Sequence, residues 1–154
     1  MMTVTQLHTG HVGLNVTDLD RSLRFYREVF GFEHLGGSGE DTEPGHRYAR
    51  LGRDGRLVLT LWQQAADAHQ RDLAGLHHLA FEVDSVEAVK EVEWSLKERG
   101  ARFQYDGIVP HGPSRTSGGI FFEDPDGTRL EVYTPAIDGA AEPPVASAPT
   151  CGFF

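Results

Sequence analysis

The chain carries one structural pattern twice, and this internal repeat constrains its fold more than any other feature. Residues 11–32 read HVGLNVTDLDRSLRFYREVFGF, and residues 78–103 read HLAFEVDSVEAVKEVEWSLKERGARF. Each block begins with His, alternates through a short apolar strand, passes an acidic residue and enters an amphipathic helix that ends at Gly. Such self-similarity predicts two copies of one supersecondary unit. It also places His11 and His78 at equivalent positions.

The first copy is predicted to be a βαβββ unit. Its helix has apolar residues at helical spacing, with Gly31 after its last turn. Residues 36–45 are predicted to be a loop from their Gly, Pro and acidic content, and Arg53-Asp54-Gly55 a hairpin turn. The predicted elements are a strand at 11–16, a helix from Asp18 or Asp20 to Phe30, and strands at 46–51 and 56–62.

The second copy repeats this order after a polar connector at residues 63–75. Asp84 is the predicted N-cap of its helix, which Gly100 ends, and Asp124-Pro125-Asp126-Gly127 is a strong turn sequence. The Ala- and Pro-rich residues 136–154 are predicted to be a disordered tail. The predicted elements are a strand at 78–83, a helix at 86–99, and strands at 102–108, 118–123 and 128–134.

Length, charge and cysteine content exclude several classes of protein. A chain of 154 residues is expected to form one compact domain or two small halves. A net charge of −9 argues against nucleic-acid binding, which needs a basic surface. No apolar run approaches the roughly 20 residues of a membrane helix, and no signal peptide is visible. Cys151 is the only cysteine, which fits a cytoplasmic location.

Three residues predict a metal site. Alternation places His11 and His78 on the face of each first strand that does not cover a helix, and Glu131 on the equivalent face of the last strand. Two imidazoles and one carboxylate form a facial set with open coordination positions, which suits Fe(II) and also Mn(II), Ni(II) or Zn(II). The alternative is that each histidine has only a structural role. His77 is predicted to point to the opposite face.

The segments HVGLNVTDLDRSLRFYREVFGF, HHLAFEV and FFEDPDGTRLEVYTP resemble the vicinal oxygen chelate superfamily. This group contains glyoxalase I, extradiol dioxygenases, fosfomycin-modifying enzymes and bleomycin resistance proteins. The resemblance covers residues 8–135, with modules at about 8–62 and 76–135. It implies an α+β fold in which two βαβββ modules form a cupped mixed sheet around a metal held by His11, His78 and Glu131. It also implies a homodimer.

Departures from the pattern of this superfamily favour one reaction class. Glyoxalase I resembles this chain but carries a fourth ligand on the last strand of the first module, where the repeat here gives Val58 or Leu59. Three ligands favour a dioxygenase that uses Fe(II) on a small molecule with vicinal oxygens, although Phe121 replaces the Tyr usual in ring-cleaving relatives. The alternatives are a glyoxalase-like lyase or isomerase with a Lewis-acid metal, and a non-catalytic antibiotic-binding protein.

Further residues are candidates for the same site. His111, in the segment VPHGPSR, is a candidate general acid or base, or else a solvated loop residue. Arg115 is a candidate clamp for an anionic substrate group, or else a surface charge. Tyr133 shares a face with Glu131 and is a candidate partner for a substrate oxygen. Trp62 and Phe121 are predicted to form apolar walls of the cavity.

Overall fold

The computed structural model describes residues 5–113, 116–139 and 142–152. The chain divides into two compact units, Met1–Asp67 and Ala68–Phe154. Each unit contains a four-stranded mixed sheet and one α-helix, which confirms the predicted α+β class with two βαβββ repeats. No helix among the described residues combines the length and apolarity needed to cross a membrane.

The elements of the first unit are β1 (Val12–Asn15), α1 (Leu19–Phe30), β2 (Glu33–Gly37), β3 (Tyr48–Arg53) and β4 (Arg56–Trp62). The sheet order is β1-β4-β3-β2. β1 pairs in parallel with β4, and the remaining pairs are antiparallel. Leu14, Val16, Leu51, Leu59 and Leu61 are buried on the sheet.

Local sequence explains how α1 and the β3–β4 hairpin form. The Asp18 side chain caps α1 by accepting a hydrogen bond from the Arg21 amide at 3.0 Å, a contact typically worth about 1 kcal/mol. Gly31 ends the helix at φ 67°. Asp54 and Gly55 both have positive φ, as a two-residue type I′ hairpin requires. These predicted caps and turns are confirmed.

The sequence did not predict β2. Its last two residues, Gly36 and Gly37, fell in the predicted loop at 36–45 because glycine disfavours strands. The structure shows why glycine is needed: a side chain at Gly37 would collide with the Tyr48 carbonyl oxygen of the neighbouring strand. β2 therefore depends on a close backbone approach that periodicity does not reveal.

The elements of the second unit are β5 (Leu79–Glu82), α2 (Val86–Glu98), β6 (Val109–Pro110), β7 (Gly118–Glu123) and β8 (Arg129–Thr134). The sheet order is β5-β8-β7-β6, with β5 and β8 parallel. Val89 and Leu96 of the helix are fully buried, as are Ile120, Leu130 and Val132 of the sheet.

Two local features of the second unit differ from prediction. Ser85 caps α2 in place of Asp84, accepting a hydrogen bond from the Ala88 amide at 3.1 Å. The strand predicted at 102–108 is wrong: Phe103 makes an isolated bridge to Phe122, and the paired strand is β6. Beside this bridge the Gln104 amide donates to the Phe121 carbonyl at 2.8 Å, and Gly107 then takes φ 67° before β6 begins.

The predicted turn between β7 and β8 is confirmed and fixes the position of β8. The buried Asp124 carboxylate accepts hydrogen bonds from the amides of Asp126 and Thr128, each at 2.9 Å. Gly127 completes the turn at φ 82°. The register that follows pairs Phe121 with Glu131, which places the predicted metal ligand at the centre of β8.

The C-terminal residues contact the second unit. Thr150–Gly152 form one 3₁₀ turn, and Thr150 is fully buried. Its amide donates to the His111 carbonyl at 2.9 Å, and its hydroxyl donates to the Pro110 carbonyl at 2.7 Å. These residues lie in the segment predicted to be disordered, and the two Thr150 hydrogen bonds join that segment to the chain beside β6.

Candidate metal centre

The candidate centre lies on one face of the second unit, across β5 and β8. The parallel register pairs Ala80 with Glu131 and Glu82 with Tyr133. Alternation along β5 leaves Ala80 and Glu82 exposed while Leu79 and Phe81 are half-buried. The face that carries Glu131 is therefore the one opposite the helix-covering side of β5, as the sequence predicts.

Glu131 is a buried carboxylate between two histidines, with only 3% of its surface exposed. Its Oε2 lies 3.5 Å from Nε2 of His78, and its Oε1 contacts Nε2 of His111. A buried carboxylate is costly unless it is paired or bound to a cation. The fold thus holds two imidazole nitrogens against one carboxylate in the interior of the unit.

His78 is held through both ring nitrogens. Its Nδ1 lies 2.8 Å from Nδ1 of His77, which leaves Nε2 facing Glu131. Burial lowers the pKa of His78, and the nearby Glu131 carboxylate only partly opposes this effect. The neutral imidazole, which is the form that binds metals, is therefore favoured.

His77 differs from prediction. It was expected to point to the face opposite His78, but its ring contacts that of His78. Both residues precede β5, which begins at Leu79, so strand alternation does not apply to them. A hydrogen bond to the second ring nitrogen is the usual way in which proteins orient a ligating histidine.

His111 is fixed in place at the end of β6. Its Nδ1 shares a 2.7 Å hydrogen bond with the Ser117 hydroxyl while Nε2 contacts Glu131. Its ring lies edge-on to Phe121 and Tyr133, at centroid distances of 6.1 and 5.1 Å. The structure therefore places His111 in the cluster, and its side chain is largely buried rather than solvated as in the loop alternative.

Phe121 and Tyr133 surround this cluster. Phe121 is fully buried beneath Glu131, its partner in the β7–β8 ladder. The Tyr133 hydroxyl donates to Glu82 Oε2 at 2.7 Å, and this hydrogen bond is the main cause of the raised pKa of Tyr133. A side chain at Gly119 would collide with the Val132 carbonyl and with the Cβ of Tyr133, so glycine is needed beside Tyr133. Arg115 lies outside the described residues.

The sequence did not predict that Cys151 belongs to this cluster. One ligating atom from each of His78, Glu131 and Cys151 lies within 4.8 Å of the other two. Ligands that share one ion at about 2.0–2.3 Å lie at most roughly 4.6 Å apart, so the three groups nearly satisfy this limit. The only sequence signal was the presence of a single cysteine, and no spacing rule connects it to the other two residues.

His11 and Trp62 lie in the first unit. His11 is exposed and directly precedes β1, and Trp62 is 38% exposed and stacks on Tyr48 at 4.8 Å. The alternation of β1 is as predicted, with Leu14 and Val16 buried and Gly13 exposed. His11 itself directly precedes β1 as His78 directly precedes β5, so the two histidines hold equivalent places in the repeat.

The sheet register corrects the predicted counterpart of Glu131 in the first unit. The residue two positions after His78 pairs with Glu131, and the residue two positions after His11 pairs with Thr60. The counterpart is therefore Thr60 rather than Val58 or Leu59. Its hydroxyl lies under Gly13, 3.2 Å from where a Cβ would stand. A neutral hydroxyl is a much weaker metal ligand than a carboxylate.

The residues of the second unit fit a divalent metal by their chemistry. A buried carboxylate with a neutral imidazole beside it supplies donors that Fe(II), Mn(II) and Zn(II) accept. The hydrogen bonds between His77 and His78 and between Ser117 and His111 supply the outer contacts that such sites need.

Comparisons with known proteins identify the family and relatives of this chain. Residues 8–132 match the Glyoxalase/Bleomycin resistance protein/Dioxygenase superfamily. The chain is 33% identical over 130 residues to a catechol-2,3-dioxygenase of Bacillus subtilis, covering 82% of this chain but only 41% of that protein. It is 33% identical over 131 residues to a probable lactoylglutathione lyase of Vibrio cholerae, covering 79% of this chain and 86% of that protein.

Solved structures show the same fold. A glyoxylase/bleomycin resistance protein/dioxygenase domain from Frankia aligns with a TM-score of 0.71 at 27% identity, covering 85% of this chain and 99% of that one. The fosfomycin resistance protein FosX of Listeria monocytogenes, solved with Mn(II) and sulfate, aligns with a TM-score of 0.61 at 23% identity, covering 88% of this chain and 96% of that one. Proteins of this fold thus include one that binds a divalent metal.

Proposed function

Because the chain belongs to the Glyoxalase/Bleomycin resistance protein/Dioxygenase superfamily, we propose that it is a divalent-metal-dependent enzyme. Its substrate is a small molecule with two neighbouring oxygen atoms, and its chemistry is that of an Fe(II) dioxygenase. The observation that carries the proposal is the buried Glu131 carboxylate, held between the Nε2 atoms of His78 and His111. No other residue of β8 combines a ligating group with two imidazole neighbours.

The ligands in this proposal are His11, His78 and Glu131. His78 and Glu131 lie together in the second unit, and His11 is included because it occupies the equivalent place in the repeat. A metal held by these three groups supplies open positions that bind and polarise the two substrate oxygens and, as Fe(II), admit O₂. Mn(II), Ni(II) and Zn(II) remain chemically compatible with this donor set.

His111 is the proposed acid–base residue. Ser117 holds Nδ1 of the ring, so Nε2 is the atom positioned to accept or return a proton beside Glu131. Phe121 and Tyr133 pack against the ring and keep water from two of its sides. A histidine fixed in this way can take the proton of a substrate hydroxyl as that oxygen becomes an anion.

Thr60 supports a dioxygenase over a glyoxalase-like lyase. A lyase that uses its metal only as a Lewis acid resembles glyoxalase I, in which the first module contributes a carboxylate or amide ligand. Here the equivalent position holds a hydroxyl. The lyase stays the second candidate because of the 33% identity to the Vibrio cholerae relative. Non-catalytic binding of an antibiotic is the third candidate.

The proposed substrate class is the catechols, from the similarity to the Bacillus subtilis dioxygenase. The test uses protein reconstituted anaerobically with Fe(II), Mn(II), Ni(II) or Zn(II) and supplied with catechol. An oxygen electrode and absorbance record whether O₂ and catechol disappear together. The proposal expects oxygen consumption with Fe(II) and none with Zn(II), and an absence of oxygen consumption with every metal contradicts it for this substrate class.

A second arm separates the alternatives. The same metal-loaded samples receive methylglyoxal with glutathione under nitrogen, and formation of S-lactoylglutathione is followed. Full anaerobic turnover with Ni(II) or Zn(II) would refute the dioxygenase proposal in favour of the lyase. A protein that binds bleomycin tightly and turns over neither substrate would instead support the third candidate.

The proposed assembly is a cytoplasmic homodimer that binds neither nucleic acid nor membrane. Edge strands and exposed apolar side chains such as Trp94, which is 67% exposed, favour a covering partner. Sedimentation equilibrium at micromolar concentration is expected to give twice the chain mass, and a monomer at that concentration would contradict the proposal.

A further inference from the structure

Cys151 stands in the candidate centre although it comes from the last turn of the described chain. Its sulfur belongs to the group formed with His78 and Glu131, in which all three ligating atoms lie within 4.8 Å of one another. The thiol is half-buried and forms no disulfide within the described residues. Neither the repeat nor strand alternation accounts for a sulfur ligand.

The neighbouring residue anchors this turn. Thr150 is fully buried, and its three polar atoms are hydrogen-bonded, two of them to the strand edge beside the centre and one to Tyr105. Its amide donates to the His111 carbonyl at 2.9 Å, its hydroxyl to the Pro110 carbonyl at 2.7 Å, and its carbonyl accepts from the Tyr105 hydroxyl at 3.3 Å. The position of Cys151 is thus set by the same strand edge that carries His111.

We propose that the C-terminal turn supplies Cys151 as a thiolate ligand to the divalent metal bound by His78 and Glu131. This inference rests on the proposed metal site. Binding forms a metal–sulfur bond, breaks the S–H bond and releases its proton to solvent, without any change of oxidation state. The donor set then becomes imidazole, carboxylate and thiolate in place of nitrogen and oxygen alone.

A sulfur ligand changes what the centre can hold. Thiolates favour softer ions, so the set shifts towards Zn(II) and Co(II) and away from Mn(II). A thiolate also fills one of the positions that the substrate oxygens or O₂ would use. A thiolate ligand from the turn anchored by Thr150 would therefore compete with substrate for that position.

Cobalt spectroscopy tests this proposal without reference to activity. Metal-free full-length protein is titrated with Co(II), which shows visible d–d bands in any protein site and near-ultraviolet sulfur-to-cobalt charge transfer only with a thiolate ligand. Because the chain has a single cysteine, the second signal has a single source. Wild-type protein is compared with Cys151→Ser and with Thr150→Val, which removes the anchoring hydroxyl and keeps the sulfur.

The expected result is charge transfer in wild-type protein, none in Cys151→Ser with d–d bands retained, and a reduced amplitude in Thr150→Val. Affinity for Zn(II) should fall in Cys151→Ser by at least the 10–100-fold that loss of an outer contact typically costs. Wild-type d–d bands without charge transfer would overturn the thiolate ligand and leave the metal site standing. Wild-type protein that stays folded with neither signal would overturn the metal site as well.

Discussion

The two units of this chain have the same sheet order and differ in the chemistry of one face. In each, the first strand pairs in parallel with the last. The residue two positions after His11 pairs with Thr60 in the first unit, and the residue two positions after His78 pairs with Glu131 in the second. The first unit thus has a hydroxyl where the second has a carboxylate flanked by two imidazoles.

The comparison shows that the repeat specifies the scaffold and leaves the chemistry to single positions. Leu59 and Leu130 are both fully buried and occupy corresponding places beside Thr60 and Glu131. Their side chains serve the same packing role in the two units. The polar residues beside them have diverged, and we infer that the second unit carries most of the metal-binding energy.

The largest expected effect comes from removing the carboxylate. Glu131→Ala takes away the charged donor between His78 and His111, so high-affinity metal binding should be abolished. Thr60→Ala is the matched control in the first unit and should bind metal as wild-type protein does. Competition with a chromogenic chelator measures both affinities. Equal losses in the two variants would show that the two faces are not chemically distinct.

The next effect concerns catalysis by His111. His111→Ala should lower kcat by about 10²–10⁴-fold, the usual contribution of a general acid or base, with KM changed much less. His46→Ala replaces an exposed histidine in the 3₁₀ turn Pro44–His46 of the first unit and serves as the control. Steady-state kinetics of the Fe(II)-loaded proteins with catechol, the proposed substrate, give both constants. A rise in KM with kcat unchanged would assign His111 to binding instead.

A third prediction tests the equivalence of the two scaffolds. Leu59→Ala and Leu130→Ala should each lower the free energy of unfolding by about 2–5 kcal/mol, as large-to-small changes at fully buried positions do. Denaturant titrations followed by circular dichroism provide the comparison. If one variant costs less than about 1 kcal/mol and the other falls within that range, the repeat is not packed equivalently in the two units.

The smallest effect is expected at His77. Its Nδ1 contact orients the ring of His78, so His77→Ala should weaken metal affinity by about 10–100-fold, as losses of such contacts do. The sequence prediction that His77 points to the opposite face implies almost no change in metal affinity for this substitution. His77→Asn retains a hydrogen-bonding group and should recover part of the affinity. Wild-type metal affinity in both variants would show that His77 does not orient His78 for metal binding.

Much of the fold could be predicted because it depends on local rules. Alternation predicted β1, helical periodicity and the Gly31 cap predicted α1, and the turn at Asp124 predicted the hairpin that carries Glu131. β2 could not be predicted, since it depends on glycines that allow a close backbone approach. The strand predicted at 102–108 was wrong because these residues have a strand-like composition but pair with β7 only through an isolated bridge.

The candidate centre was predictable only where the repeat pointed to it. His78 and Glu131 followed from matching positions and alternation, and they lie together in the second unit. Cys151 and Ser117 could not be predicted, because no spacing rule connects either residue to His78 or Glu131. Thr60 needed the strand register, which the turn sequences alone left uncertain by one or two residues.

The most direct test of the account is the contribution of His11, the one proposed ligand that the first unit supplies. Wild-type protein, His11→Ala, His78→Ala and the Thr60→Ala control are loaded anaerobically with Fe(II), freed of excess metal and assayed for bound iron, with circular dichroism to confirm folding. We expect one Fe(II) per chain in wild-type protein and in the Thr60→Ala control, and loss of tight Fe(II) binding in both histidine variants. Full iron binding by folded His11→Ala protein would contradict the shared site.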